Sequence, residues 1–205
     1  VEIDLFWRGM LLGFSIAAPV GPIGLLVIRR TLAEGRLTGL ITGLGAAVAD
    51  GLYGLIGALG LTLVTTLLTE QTRWLQLVGG LFLIYLGITT FRTMPAEQAA
   101  PVTAATRWRA FATTFALTLT NPMTIMAFAV AFAGLGLAFD GSYGTTLALV
   151  GGVLTGSTLW WLLLSSGVSL VREHISRTGL RWINRLSGVL IGAFGVVALL
   201  AVLAG

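Results

Sequence analysis

Residues 143–171 carry no charged side chain, and residues 38–67 carry a single one, Asp50. About 20 consecutive apolar residues suffice to cross the hydrocarbon core of a bilayer. No water reaches a free amide or carbonyl there, so each such run is read as a helix that satisfies its own backbone. Six segments meet the length, at about 5–28, 38–67, 74–91, 109–138, 143–171 and 180–204. Only 10% of the residues are charged, against about 25% in a soluble domain, too few to cover a surface in water. The expectation is an all-α polytopic membrane protein with the lipid bilayer as its solvent, one transmembrane domain over 1–205.

Two of these runs contain what a continuous helix should refuse. The stretch "AAPVGPIG", residues 17–24, places Pro19, Gly21, Pro22 and Gly24 in the first run, and Asn121 and Pro122 interrupt the fourth. A proline removes a backbone donor and crowds the carbonyl four residues back. A half-helix restarting after such a break offers unpaired amides and the positive end of its dipole. Proline suits its first turn, where the missing donor is no loss. The structural alternative is a kink that neighbouring helices repair.

Arginine sets the expected orientation. All twelve basic residues are arginine, and the first, third and fifth connections hold ten of them: Arg29, Arg30, Arg36, Arg92, Arg107, Arg109, Arg172, Arg177, Arg181 and Arg185. Arg8 and Arg73 fall on the other side. Basic loops stay in the cytoplasm, which predicts both termini outside it. Trp7, Trp74, Trp108 and Trp182 sit near span starts, where an interfacial aromatic belt belongs. The same distribution speaks against nucleic acid as the partner of the net charge of +4. The first segment, lacking a basic leader, reads as a retained span rather than a signal peptide. Cysteine is absent, so disulfides, thiolate metal sites and a cysteine nucleophile are excluded.

The halves resemble one another. A shift of 108 brings Trp74 onto Trp182, Gly80 onto Gly188 and Gly87 onto Gly195, and a shift of 100 brings Gly21-Pro22 onto Asn121-Pro122. Three spans per half would set the copies upside down, as two inverted three-helix repeats at about 5–91 and 109–204. Secondary transporters of that kind hold substrate near the midplane, between broken helices.

"PVGP" in the first run, "EGRLTGLITGLGAAVADGLYG" leading into the second and "NP" in the fourth resemble the LysE/RhtB family of amino-acid exporters, over nearly the whole chain. The resemblance implies a bacterial inner-membrane transporter with a small amino-acid substrate and no cofactor. One departure is visible: the family commonly follows Asn-Pro with lysine, and this chain has Met123. A metal-exporting branch of distant relatives makes a divalent-cation exporter the alternative. A non-transporting membrane scaffold is a third reading.

Among single residues Asp50 stands out, because an acid at the bilayer centre costs about 2.5–3.5 kcal/mol. Gly39, Gly43, Ala47, Gly54 and Gly57 share its helix face at spacings of three and four, a seam expected to admit another backbone. The structural alternative for Asp50 is an acid bonded to amides freed by a proline break. Tyr53, one turn on, could bond Asp50 or a substrate. Thr158 or Ser157 matches Asp50 in the second half, for a shift of 108 or 107. Trp160 and Trp161 lie too deep for the belt; core packing is expected, with walling of a cavity as the alternative. Gly9, Gly13, Gly188, Gly192 and Gly195 read as helix contacts, internal or in a homodimer. His174 reads as a surface residue, and the serines lack a membrane-embedded base, so no enzyme is expected. The site therefore comprises Asp50, Pro19, Gly21, Pro22, Asn121, Pro122, Tyr53 and Thr158. The function read from it is export of a small amino acid by alternating access, with protons as coupling ions.

Overall fold

The computed structural model describes residues 1–19, 21–59, 72–94, 103–135 and 143–204, and among them every regular element is a helix. In chain order these are α1 (Glu2–Ala17), α2 (Pro22–Glu34), α3 (Arg36–Ala58), α4 (Thr72–Arg92), α5 (Ala104–Leu119), α6 (Pro122–Leu135), α7 (Tyr143–Val171), a 3-10 turn (Arg172–His174) and α8 (Arg177–Ala204). Four helices, α3, α4, α7 and α8, are long and apolar enough to cross a membrane unaided. The expected first and fourth spans are each a bent pair: α1 and α2 meet at 79°, α5 and α6 at 60°. The total is six if each pair counts as one span. The ends of the second and fourth expected spans, 60–67 and 136–138, lie outside the described residues.

The breaks fall at the prolines, Pro22 and Pro122 each opening the second helix of its pair, where proline's fixed φ suits the first turn. One boundary differs from expectation. Arg29 and Arg30 lie inside α2 rather than in a loop, and α2 joins α3 through Gly35 alone. That residue takes φ of 99°, a left-handed conformation that costs a side chain and not glycine.

Helix α3 is the centre: 61% of its apolar window is buried, against 22% for α4 and for α8. It is held by α2, α5 and α7, while α1 packs along α7 and α4 along α8. These last two pairs come within backbone distance. A Cβ on Gly13 would lie 2.9 Å from Val153 Cα, and one on Gly156 would strike the Met10 carbonyl. In α4 and α8, a Cβ on Gly195 would lie 2.6 Å from the Gly80 carbonyl and one on Gly188 2.7 Å from that of Gly87. The glycines expected to permit a homodimer, Gly9, Gly13, Gly188 and Gly195, are thus engaged inside the chain; only Gly192 has open space over it. The lipid-facing side keeps large exposed apolar groups, among them Leu81, Val130, Leu147 and Leu203, and all four belt tryptophans are exposed.

On α3 the small-residue face meets α2 closely at Gly39, where a Cβ would lie 3.2 Å from Thr31 Cα, and takes side chains of α7 further along. Gly45, off that face, meets the Phe111 backbone of α5, whereas Gly43 seats the ring of Trp161 and Gly54 the side chain of Val153. Buried threonines on these helices, Thr31, Thr42, Thr114 and Thr118, return their hydroxyl protons to the carbonyl four residues back, a local solution that needs no second helix.

The arginine-rich end is tied laterally. Arg30 Nη1 donates to the Ala110 carbonyl at 3.0 Å and reaches the hydroxyls of Thr42 and Thr114 at 3.3 and 3.4 Å. Arg29 Nε donates to Asn184 Oδ1 at 3.2 Å, and Arg172 Nε to the Leu32 carbonyl at 3.0 Å. Helix α2 is thereby fastened to α3, α5, α8 and the 3-10 turn.

Candidate functional site

The break between α5 and α6 repairs its own backbone. Asn121 N bonds the Thr118 carbonyl at 3.2 Å, and Ile125 N restarts the ladder on Asn121 O at 3.1 Å. Asn121 Oδ1 accepts from Met123 N at 3.1 Å, the usual service of an asparagine N-cap. Pro122 has removed its own donor, and the Leu119 carbonyl takes the Tyr53 hydroxyl of α3 at 2.7 Å. Replacing Tyr53 by Phe should leave that carbonyl unpaired and cost about 1–3 kcal/mol, read as a lower midpoint of thermal unfolding in detergent. Asn121→Ala should cost about 1 kcal/mol through the lost cap.

The break between α1 and α2 is left open. Helix α1 closes with Ala18 N on the Phe14 carbonyl at 3.0 Å, and α2 begins its ladder with Leu25 N on Gly21 O at 3.1 Å. Gly21 is extended, at φ −103° and ψ −162°, and no side chain caps the helix. The first-turn amides of Ile23 and Gly24 precede the first internal bond, as helix geometry requires. Where α6 carries Asn121, α2 carries a glycine with nothing to offer.

Both breaks face one cavity of about 340 Å³, between α1, α2, α3, α5, α6, α7 and α8. Pro19, Gly21, Pro22, Ile23 and Gly24 line it from the first break; Thr118, Asn121, Met123 and Thr124 line it from the second. Ile16, Ala46, Ala127 and Phe194 make most of the remainder apolar, and among the described residues Asp50 is its one charged side chain.

Asp50 is 3% exposed and Ser157 fully buried. The Ser157 hydroxyl donates to Asp50 Oδ2 at 2.7 Å and accepts from Trp161 Nε1 at 3.1 Å. A buried carboxylate needs a partner, and among the described residues the partner of Asp50 is the Ser157 hydroxyl of α7. Trp161 packs in the buried core, as expected, and also lines the cavity; Trp160 packs against that core and meets Phe14 edge-on, ring centroids 5.5 Å apart.

Of the residues singled out from sequence, Asp50, Pro19, Gly21, Pro22 and Asn121 come together on this cavity. Pro122, Tyr53 and Thr158 do not line it. Tyr53 is spent on Leu119 and packs on Phe128, ring centroids 5.6 Å apart. Thr158 is corrected to Ser157, one residue earlier on α7 and so turned by about 100°. Thr118, Thr124 and Phe194 carried no sequence signal, being ordinary residues on apolar helices. Among the described residues no three His, Cys, Asp or Glu side chains gather as metal ligands, and His174 lies exposed on the 3-10 turn.

The family profile described as "LysE type translocator" matches residues 14–202. The chain is 28% identical over 197 residues, 94% of each chain, to "Putative amino acid efflux protein YcgF" of Bacillus subtilis (strain 168). It is 31% identical over 178 residues to "Uncharacterized membrane protein YahN" of Escherichia coli (strain K12), covering 83% of this chain and 78% of that one. It is 29% identical over 169 residues to "Arginine exporter protein ArgO" of Pectobacterium carotovorum subsp. carotovorum (strain PC1), covering 78% and 79%. No solved structure matches the chain significantly. The profile match contains both helix breaks, Asp50 and Ser157, and from this coverage the chain belongs to the LysE type translocator family, a transporter and not an enzyme.

Proposed function

We propose that this protein is a secondary exporter of a small amino acid or close derivative, working by alternating access and coupled to proton entry across a bacterial inner membrane. The observation that carries the reading is the placement of Asp50 on the cavity that both breaks face. A zwitterion has an ammonium suited to Asp50 and a carboxylate suited to the uncapped first turn of α2. The cavity falls within the range of about 300–1,000 Å³ common for small-molecule sites. Two relatives carry amino-acid efflux or arginine export in their names.

Two contacts support the inverted-repeat frame. Gly80 meets Gly195 while Gly87 meets Gly188, the reciprocal exchange expected of a two-fold relation under the 108-residue shift. Asp50 and Ser157, equivalent under a shift of 107, bond to each other, a pairing that supports a pseudo-axis near the site. Among the described residues the halves differ: α2 packs on α3, whereas its counterpart α6 makes no comparable contact with α7, an asymmetry that alternating access would use. The ties of Arg29, Arg30 and Arg172 then close the cytoplasmic end, since basic residues favour that side.

A thermal-shift screen of the purified protein against the twenty amino acids and divalent metals tests the reading. A bound amino acid at 100 times its Kd should stabilise by about 2.7 kcal/mol. Stabilisation by metals alone would instead establish the cation-exporter reading.

A further inference from the structure

We propose that Ser157 and Trp161 are positioning residues that reserve one oxygen of Asp50, Oδ1, for the proton and for the substrate ammonium; the inference rests on the role given to Asp50 above. An indole N–H can only donate, so Trp161 Nε1 occupies a lone pair of Ser157 Oγ at 3.1 Å. Ser157 is wholly buried, so water does not take its proton, and the acceptor it reaches is Asp50 Oδ2 at 2.7 Å. That length is the usual one for a well-formed O–H···O bond.

The direction of the chain follows. In the rotamer that the indole holds, the one acceptor within reach of Ser157 Oγ among the described residues is Asp50 Oδ2, so a proton on Oδ2 would leave the hydroxyl proton without an acceptor there. A proton arriving at Asp50 therefore goes to Oδ1, and Oδ2 stays the carbonyl oxygen that accepts from Ser157. Oδ1 has no side-chain partner among the described residues, and Asp50 lines the cavity, which leaves that oxygen to the ligand.

The ring that starts the chain is itself held. It lies against Gly43, where a Cβ would come within 2.5 Å of Trp161 Cγ and 3.0 Å of Cδ2. Among the described residues Tyr53 is the other titratable group near enough to feel the charge of Asp50. The parts of α1, α2, α5, α6, α7 and α8 that line the cavity contribute none, and on α3 Tyr53 is turned to Leu119.

Infrared difference spectra of the purified protein between neutral and acid pH test this without any substrate, with Asp50→Asn identifying the Asp50 carboxyl band. In the wild type that carbonyl accepts from Ser157, so a single band at a hydrogen-bonded frequency is expected. Ser157→Ala should move it to higher frequency, and Ser157→Thr should leave it in place. Trp161→Phe frees the hydroxyl to turn to its own helix, as serines commonly do, and should split the band in two. A band unmoved in Ser157→Ala, or left single and unmoved in a folded Trp161→Phe, overturns the proposal. Transport adds a second readout: Ser157→Ala should raise KM about fivefold, the size of one net hydrogen bond, with Vmax retained. An unchanged KM overturns it. Failure of the underlying reading is separate: the wild type would carry no amino acid, yet its carboxyl band would still respond to Ser157.

Discussion

Replacing Asp50 by Asn is expected to abolish proton-driven accumulation while leaving a folded protein. Asparagine keeps the shape and an acceptor for the Ser157 hydroxyl, so the α3–α7 contact survives. It cannot take or release a proton, and it offers an ammonium no charge. One proton falling through about 150 mV supplies roughly 3.5 kcal/mol, enough to hold a zwitterion gradient of a few hundredfold at 1.4 kcal/mol per tenfold. In proteoliposomes with an imposed proton gradient the variant should hold a ratio near one where the wild type holds on the order of a hundred. Retention of the wild-type ratio would remove Asp50 from the mechanism.

Gly156→Val should be among the most damaging substitutions outside the cavity. A Cβ there strikes the Met10 carbonyl and comes within 2.9 Å of Phe14 N. Both obstacles are backbone, which no rotamer change can clear, so α1 must lift from α7. Overpacking of this kind costs about 3 kcal/mol or more, visible as a large fall in the unfolding midpoint. Gly13→Val strains the same interface from the other helix, so the double variant should lose less than the sum. Gly167→Ala, exposed and with nothing within 4 Å, should be neutral or gain up to about 1 kcal/mol from helix propensity.

These two outcomes mark different depths of legibility. The helical runs, the two interruptions and the buried acid are properties of composition along the chain. Hydrocarbon demands about 20 apolar residues per crossing, proline removes a donor wherever it stands, and an acid in such a run is costly whatever surrounds it. Asp50, Pro19, Gly21, Pro22 and Asn121 were therefore visible before any fold was known. The arginine pattern suggested a side and misjudged a location. Arg29 and Arg30 look like loop residues by charge, yet they continue α2 because carbonyls and amides of α5 and α8 receive them.

Sequence by itself determined that the chain is a membrane helix bundle, broken twice, with an acid at depth. Tertiary structure decided what those features meet, because helix faces are set by register and a slip of one residue turns a side chain by about 100°. It chose Ser157 over Thr158 as the partner of Asp50, set one edge of the core residue Trp161 on the cavity, and turned Tyr53 to a carbonyl of α5. It also separated two breaks that read alike, capping one with Asn121 and leaving the other bare at Gly21. Each of those choices depends on which atoms lie across a gap between helices, and no pattern along one strand of residues encodes that distance.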